Sequence, residues 1–157
     1  MFWKLLFRPF ASDGEIDLYP LDLVPPEEEM GFGEYFDFII TQHGRKREIG
    51  QISLRMGESE CVYYFGHIGY HIDPPWRGHH YAEKACRLIL PLMRRWDMHS
   101  AVITCDPDNF PSIRTCERLG CVWENTVDVP VILQKKWELS AVKRRYIWRI
   151  TDEYEDE

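Results

Sequence analysis

The 157-residue sequence has no run approaching the roughly 20 consecutive apolar residues that a membrane-crossing helix needs, no Cys-x-x-Cys pair, no internal repeat and no interdomain linker. The first absence argues against a helical membrane protein. The chain also lacks a cationic excess: 19 Lys and Arg stand against 26 Asp and Glu, a net charge of −7 that argues against a dedicated nucleic-acid binder. Five of those acids (Asp152, Glu153, Glu155, Asp156, Glu157) fall in the last six residues, and without them −7 becomes −2. The start, Met1 to Arg8, is apolar but broken by Lys4 and Arg8, and no small-residue cleavage site follows it; it reads as mature sequence. Five cysteines (Cys61, Cys86, Cys105, Cys116, Cys121) are an odd number, four of them among core-type neighbours. They are expected to be reduced thiols in a cytoplasm.

What is present fits one soluble domain: 45% hydrophobic residues, 29% charged and 14% aromatic. A single domain over 1–151 and a disordered acidic tail over 152–157 are expected. The first third is loosely patterned, with a short strand around Ile16–Val24. From Tyr35 apolar and polar residues alternate, predicting a strand with one well-buried face. Glu48–Arg55 returns as a second strand. After the turn Met56–Glu60, the segment Cys61–Ile72 reads as a third, completing an antiparallel meander. Beyond Asp73-Pro74-Pro75 the spacing of Ala82, Ala85, Cys86, Ile89, Leu90 and Met93 predicts a helix, ending or kinking near Leu90 because Pro91 lacks an N–H. Ala101–Cys105 is a short buried strand, related to the third by a parallel crossover through that helix. Asn109 caps a second helix that tolerates Pro111 in its first turn and stops at Gly120. Cys121–Val129 and Arg144–Ile150 are the last strands; Pro130–Lys143 is unassigned. The order β-β-β-α-β-α-β-β makes an α/β (α+β) fold.

The stretch most able to carry chemistry is Ile72-Asp73-Pro74-Pro75-Trp76-Arg77-Gly78-His79-His80-Tyr81-Ala82. A strand, a proline-bearing loop and a helix start follow one another, and the first turn of a helix presents unpaired N–H groups to an anion such as a pyrophosphate. An ordinary strand-to-helix connection would look the same. Asn109-Phe110-Pro111-Ser112, running on to Gly120-Cys121, adds a second pattern at a fixed separation. Together the two resemble the signatures of the GNAT superfamily of acyl-CoA-dependent N-acyltransferases, most of all its ribosomal-protein N-acetyltransferase branch. Arg77 and Ala82 match the ends of the family's Gln/Arg-x-x-Gly-x-Gly/Ala turn, and Asn109, Ser112 and Gly120 match its second motif. The resemblance spans about Tyr35 to Ile150.

That resemblance implies a mainly antiparallel central sheet of six to seven strands flanked by helices, with two central strands splayed around the cofactor. It implies acetyl-CoA as donor, a small-molecule or peptide primary amine as acceptor, no metal, and direct attack in a ternary complex. The backbone at Tyr70 and Ile72 would hold the pantetheine arm. The amides of Arg77, Gly78, His79, His80, Tyr81 and Ala82 would hold the pyrophosphate, and Asn109 and Ser112 would flank the pantetheine. Two departures stand out. His80 replaces a glycine, so its Cβ is either tolerated in an ordinary helical conformation or displaces the cofactor; alternatively His79 or His80 donates to a phosphate oxygen. Cys116 stands where many members carry the tyrosine that protonates the leaving thiolate, and is either that acid or a packed small side chain. A catalytically degenerate CoA-binding module is the alternative function.

Glu58, Glu60 and His67 are the candidate bases, His67 for its ordinary pKa near neutrality. Four histidines, His67, His71, His79 and His80, invite a zinc site, but no cysteine or carboxylate sits at ligand spacing. Arg45-Lys46-Arg47 and Lys143-Arg144-Arg145 read as solvated basic triplets. By the resemblance, residues 1–33 and 130–143 select the acceptor. Trp3, Phe7, Trp123, Trp137 and Tyr146 are candidates for a cleft, a homodimer contact or the core.

Overall fold

The computed structural model describes residues 8–21 and 34–151. Hydrogen-bond register sorts its strands into two antiparallel sheets. β1 (Ala11–Ser12), β2 (Ile16–Pro20), β3 (Tyr35–Gln42), β4 (Glu48–Arg55) and β5 (Ile68–Ile72) form the first, in that order. β6 (Ser100–Cys105), β7 (Val122–Asp128) and β8 (Val142–Arg149) form the second, with β8 in the middle. The mixed, mainly antiparallel α+β architecture is as expected. The strands of the described residues number eight, split five and three.

The split falls between β5 and β6. The parallel pairing expected across it is absent among the described residues; the two sheets touch at one antiparallel bridge, Gly66 to Ile103. There the His67 N–H donates to the Val102 carbonyl at 2.8 Å. Gly66 permits this contact because it has φ +82° and no Cβ, which would stand 2.8 Å from the Val102 oxygen. Beyond the bridge the two strands share no ladder, and a wedge opens between them.

Three further expectations change. Phe38, Ile39, Ile40 and Thr41 are buried in succession, so mid-β3 is buried on both faces rather than one. The segment Cys61–Ile72 is not one strand: Glu60–Phe65 forms helix α1, and only Ile68–Ile72 is extended. Ser59 caps α1 by accepting the Val62 N–H at 3.1 Å, and Gly66 ends it. Burial of Cys61 and Val62 then overrides the strand preference of Val-Tyr-Tyr-Phe. Finally, Val131–Trp137 in the unassigned stretch forms the last helix, α5.

α2 (Tyr81–Leu88) and α3 (Leu90–Arg95) meet at Ile89, with Pro91 in the first turn of α3 where its missing N–H costs nothing. α4 (Phe110–Arg118) ends in a Schellman motif: Gly120, at φ +79°, donates to the Glu117 carbonyl and Cys121 to that of Cys116, both at 3.0 Å. Side chains from both sheets and from α2 and α4 share one core. Ile68 and Ile72, Ala85 and Cys86, Ile103, and Cys116 and Leu119 meet there, each large aliphatic burial contributing about 1.5–3 kcal/mol. This core anchors the ends of α2 and α4 against the wedge.

All five cysteines are free thiols. The triplet Lys143-Arg144-Arg145 is not a solvated run. Lys143 pairs with Asp106, Arg144 lies over Trp123 and Tyr146, and Arg145, 6% exposed, pairs with Glu124 over the Tyr63 ring. Tyr146 is buried and Trp123 exposed. No helix of the described residues is long and apolar enough to cross a membrane. Trp3, Phe7, residues 22–24 of the first expected strand and the acidic tail lie outside the described residues.

Candidate active site

The turn from β5 to α2 forms one wall of a cavity of about 460 Å³. Pro74–Trp76 makes a single 3₁₀ turn after Asp73. Arg77 then folds back so that its Nε–H donates to the Ile72 carbonyl at 2.8 Å, fixing the loop to the end of the strand. Gly78 takes φ +91°, and the space over its missing Cβ is open to 4 Å. His80 precedes α2 in the left-handed region at φ +60°, and its side chain makes no capping bond. The glycine-like conformation is thus retained by a residue that pays for its Cβ, at about 1–2 kcal/mol. The first-turn N–H groups of α2 face the cavity without a side-chain cap, as an anion site needs.

The opposite wall is the start of α4. Asn109 caps it, its Oδ1 accepting the Ser112 N–H at 3.3 Å. Nine of the ten residues expected to hold the cofactor line this cavity: Tyr70, Ile72, Arg77, Gly78, His80, Tyr81, Ala82, Asn109 and Ser112. His79 does not; its ring packs on Tyr81 with centroids 5.3 Å apart. Along β5 the backbone alternates. The His67 carbonyl accepts from Arg55 at 2.6 Å and the Asp73 N–H donates to Ile49 at 2.8 Å, so odd-numbered residues face β4. The backbone of Tyr70 and the N–H of Ile72 consequently face the wedge.

A second cavity, of about 190 Å³, opens on the wedge from the other side. Arg55, Phe65, Gly69, Thr104, Cys105, Asp106 and Lys143 line it, and it shares Tyr70, Asn109 and Ser112 with the first. The half-buried Arg55 guanidinium donates to the carbonyls of Phe65 and Gly66 at 3.3 and 3.2 Å, and packs so closely that a Cβ on Gly69 would lie 2.7 Å from it. Burial alone would raise the Asp106 carboxyl; hydrogen bonds from Lys143 at 2.8 Å and Ser140 at 2.5 Å outweigh that and hold it below its ordinary range. Sequence reasoning missed this cavity. Its walls come from positions 55 to 143, and only the pair Gly66 and Gly69 hinted at close approach there.

The three expected catalytic side chains are not brought to either cavity. His67 is 6% exposed at the joint between the sheets. Its Nδ1 accepts the Val102 N–H at 2.9 Å and its Nε2–H donates to the Gly57 carbonyl at 3.1 Å, so its lone pair is engaged. Burial pushes its pKa below the ordinary value. Glu60 is exposed on the first turn of α1. Cys116 is fully buried; a hydrogen bond with Cys121 and its burial push its thiol far up. The side chains that do meet at the wedge are Tyr70 and Ser112, with hydroxyl oxygens 2.7 Å apart. Burial holds the Tyr70 phenol well above the usual range. Among the described residues no three His, Cys, Asp or Glu side chains gather as a metal site.

A sheet parted beside an uncapped helix start, with two cavities that share Tyr70, Asn109 and Ser112 at the parting, has the layout of a two-substrate transferase. Residues 5–122 match the family described as the acetyltransferase (GNAT) domain. The chain belongs to this family, whose acyl donor is acetyl-CoA. It is 32% identical over 130 residues to the uncharacterized N-acetyltransferase YnaD of Bacillus subtilis, covering 75% of this chain and 72% of that protein. Two solved structures share the fold at lower identity. One is the ribosomal-protein-S5-alanine acetyltransferase of Vibrio fischeri, with TM-score 0.60 and 19% identity over 75% of this chain and 63% of that one. The other is the microcin C7 self-immunity acetyltransferase MccE in complex with acetyl-CoA and AMP, with TM-score 0.57, 20% identity and coverage of 74% and 61%. The chain thus spans less than two thirds of either solved relative.

Proposed function

We propose that the protein transfers the acetyl group of acetyl-CoA to a primary amine by direct attack of the nitrogen on the thioester carbonyl, both substrates being bound together. The observation that carries this reading is the meeting of two cavities at one pair of hydroxyls, Tyr70 and Ser112. In this assignment the amides of Arg77 to Ala82 hold the pyrophosphate, the wedge-facing backbone of Tyr70 and Ile72 holds the pantetheine arm, and Asn109 and Ser112 flank it. The Tyr70 N–H is the donor for the carbonyl oxygen as negative charge develops there. Positioning supplies most of the rate in such a scheme.

The amine enters through the second cavity. Arg55, and Lys143 paired with Asp106, line that cavity. The Vibrio fischeri protein carries an alanine of a ribosomal protein in its name; that likeness supports a polypeptide N-terminal amine as the first acceptor class to test. Five free thiols fit a reducing cytoplasm, and residues 1–151 are taken as one transferase domain.

The test is release of free CoA from acetyl-CoA across peptide, polyamine and amino-sugar acceptors. Amine-dependent release with at least one class is expected. Binding of acetyl-CoA with no release for any class would contradict the reading and leave a donor-binding module.

A further inference from the structure

Direct transfer has a proton to relocate. Attack leaves the nitrogen with one proton too many and the departing sulfur with one too few. The residue expected to help, Cys116, is sealed in the core beneath α4. The place where the exchange must happen is nonetheless defined. Donor and acceptor approach through different cavities, so the reacting carbon lies where the cavities join, and Tyr70, Asn109 and Ser112 are the residues lining both. Asn109 carries an amide that caps α4 and has no acidic proton to give. The remaining two side chains are hydroxyls 2.7 Å apart. One proton lies between the oxygens, and Ser112 is also hydrogen-bonded to the Cys105 thiol.

We propose that the Tyr70–Ser112 hydroxyl pair is the proton conduit of the reaction, with Tyr70 as a catalytic residue. This rests on the acetyl-transfer reading above. The C–N bond forms as nitrogen attacks; the C–S bond breaks and its electron pair leaves with sulfur. The surplus proton passes from nitrogen to one hydroxyl oxygen, the shared proton moves across, and the second hydroxyl gives its own proton to sulfur. The products are an amide and the CoA thiol, and both hydroxyls end neutral.

Three observations support this role. The pair spans the gap between β5 and α4, so it sits in place whichever substrate arrives first. Burial keeps the Tyr70 phenol protonated throughout any workable assay range, as a conduit requires. Thr104, the neighbouring hydroxyl of the second cavity, is committed to the Tyr64 carbonyl at 2.8 Å. Cys105, hydrogen-bonded to Ser112, lines only the second cavity.

The experiment uses the full chain, an acceptor that the wild type acetylates, and Tyr70→Phe and Ser112→Ala variants. Tyr70→Phe is expected to lower kcat by about a hundredfold, with acetyl-CoA affinity changed by less than about threefold. A proton inventory in mixed light and heavy water separates conduit from packing. The wild type is expected to give a bowed plot, as for several protons in flight, and Tyr70→Phe a straight one. As a second variant that keeps the ring and its hydroxyl, 3,5-difluorotyrosine at position 70 is expected to restore the bowed plot that Tyr70→Phe loses. Undiminished kcat in Tyr70→Phe, or a fluorinated enzyme with the straight plot of Tyr70→Phe, overturns the conduit while acetyl transfer stands. A wild type that releases no CoA with any amine overturns both.

Discussion

Replacing His67 by alanine separates a structural pin from a catalytic base. The ring is 6% exposed and holds two hydrogen bonds across the joint of the two sheets. Truncation leaves the Val102 N–H without its acceptor, at about 1–3 kcal/mol, and empties a ring-sized volume. The exposed Gly57 carbonyl recovers water and adds little. A total near 3 kcal/mol corresponds to a fall in Tm of about 6–12 °C for a domain of this size. The pH dependence has a definite sign. Burial holds the folded pKa of His67 below its unfolded value of about 6.5. The unfolded chain therefore binds the proton more readily, and the stability His67 contributes is complete above about pH 6.5 and lost as pH falls through the window beneath it. Thermal melts of wild type and variant from neutral to mildly acidic pH should show the gap narrowing on acidification. The pH profile of kcat/KM should keep its shape in the variant. Unchanged Tm together with loss of a kinetic limb near pH 6.5 would refute the pin and restore the base.

Three other perturbations follow from the geometry. His80→Gly removes the Cβ from a left-handed position and is expected to leave stability unchanged or raise it by up to about 1 kcal/mol, the relieved strain being partly offset by unfolded-state entropy; a loss of more than this in a denaturant titration would show that the ring holds the turn. Gly66→Ala adds left-handed strain to a clash with the Val102 oxygen at 2.8 Å, so a loss of at least about 2 kcal/mol is expected, and a wild-type melt would mean the sheets are not joined there. Thr41 is fully buried with no partner for its hydroxyl among the described residues, so Thr41→Val should stabilise the fold by about 1 kcal/mol in the same titration, where a loss would reveal a hidden partner.

Local signals in the sequence accounted for the residues proposed to hold the donor. Asn109, Pro111 and Gly120 marked both ends of α4 because capping chemistry is decided within a few residues, and the stretch Ile72–Ala82 carried its turn in the same way. Helix α1 was misread because its strand-prone side chains outweighed one serine cap and one glycine; its packing against β6 is a long-range fact. The proposed acceptor side was illegible for the same reason. Arg55, Asp106 and Lys143 become neighbours only once β5 and β6 part. Tyr70 was placed in the site for its backbone, while its hydroxyl gained meaning from the distance to Ser112. His67 looked reactive by type and is pinned by position.

Hydrogen–deuterium exchange with and without saturating acetyl-CoA tests the donor site where it is claimed to be. Exchange should slow at the amides of residues 68–72, 77–84 and 109–112, the lips of the wedge, and stay unchanged on the outer sheet around β1 and β2. Protection confined to any other surface, or none at saturating ligand, would contradict the account.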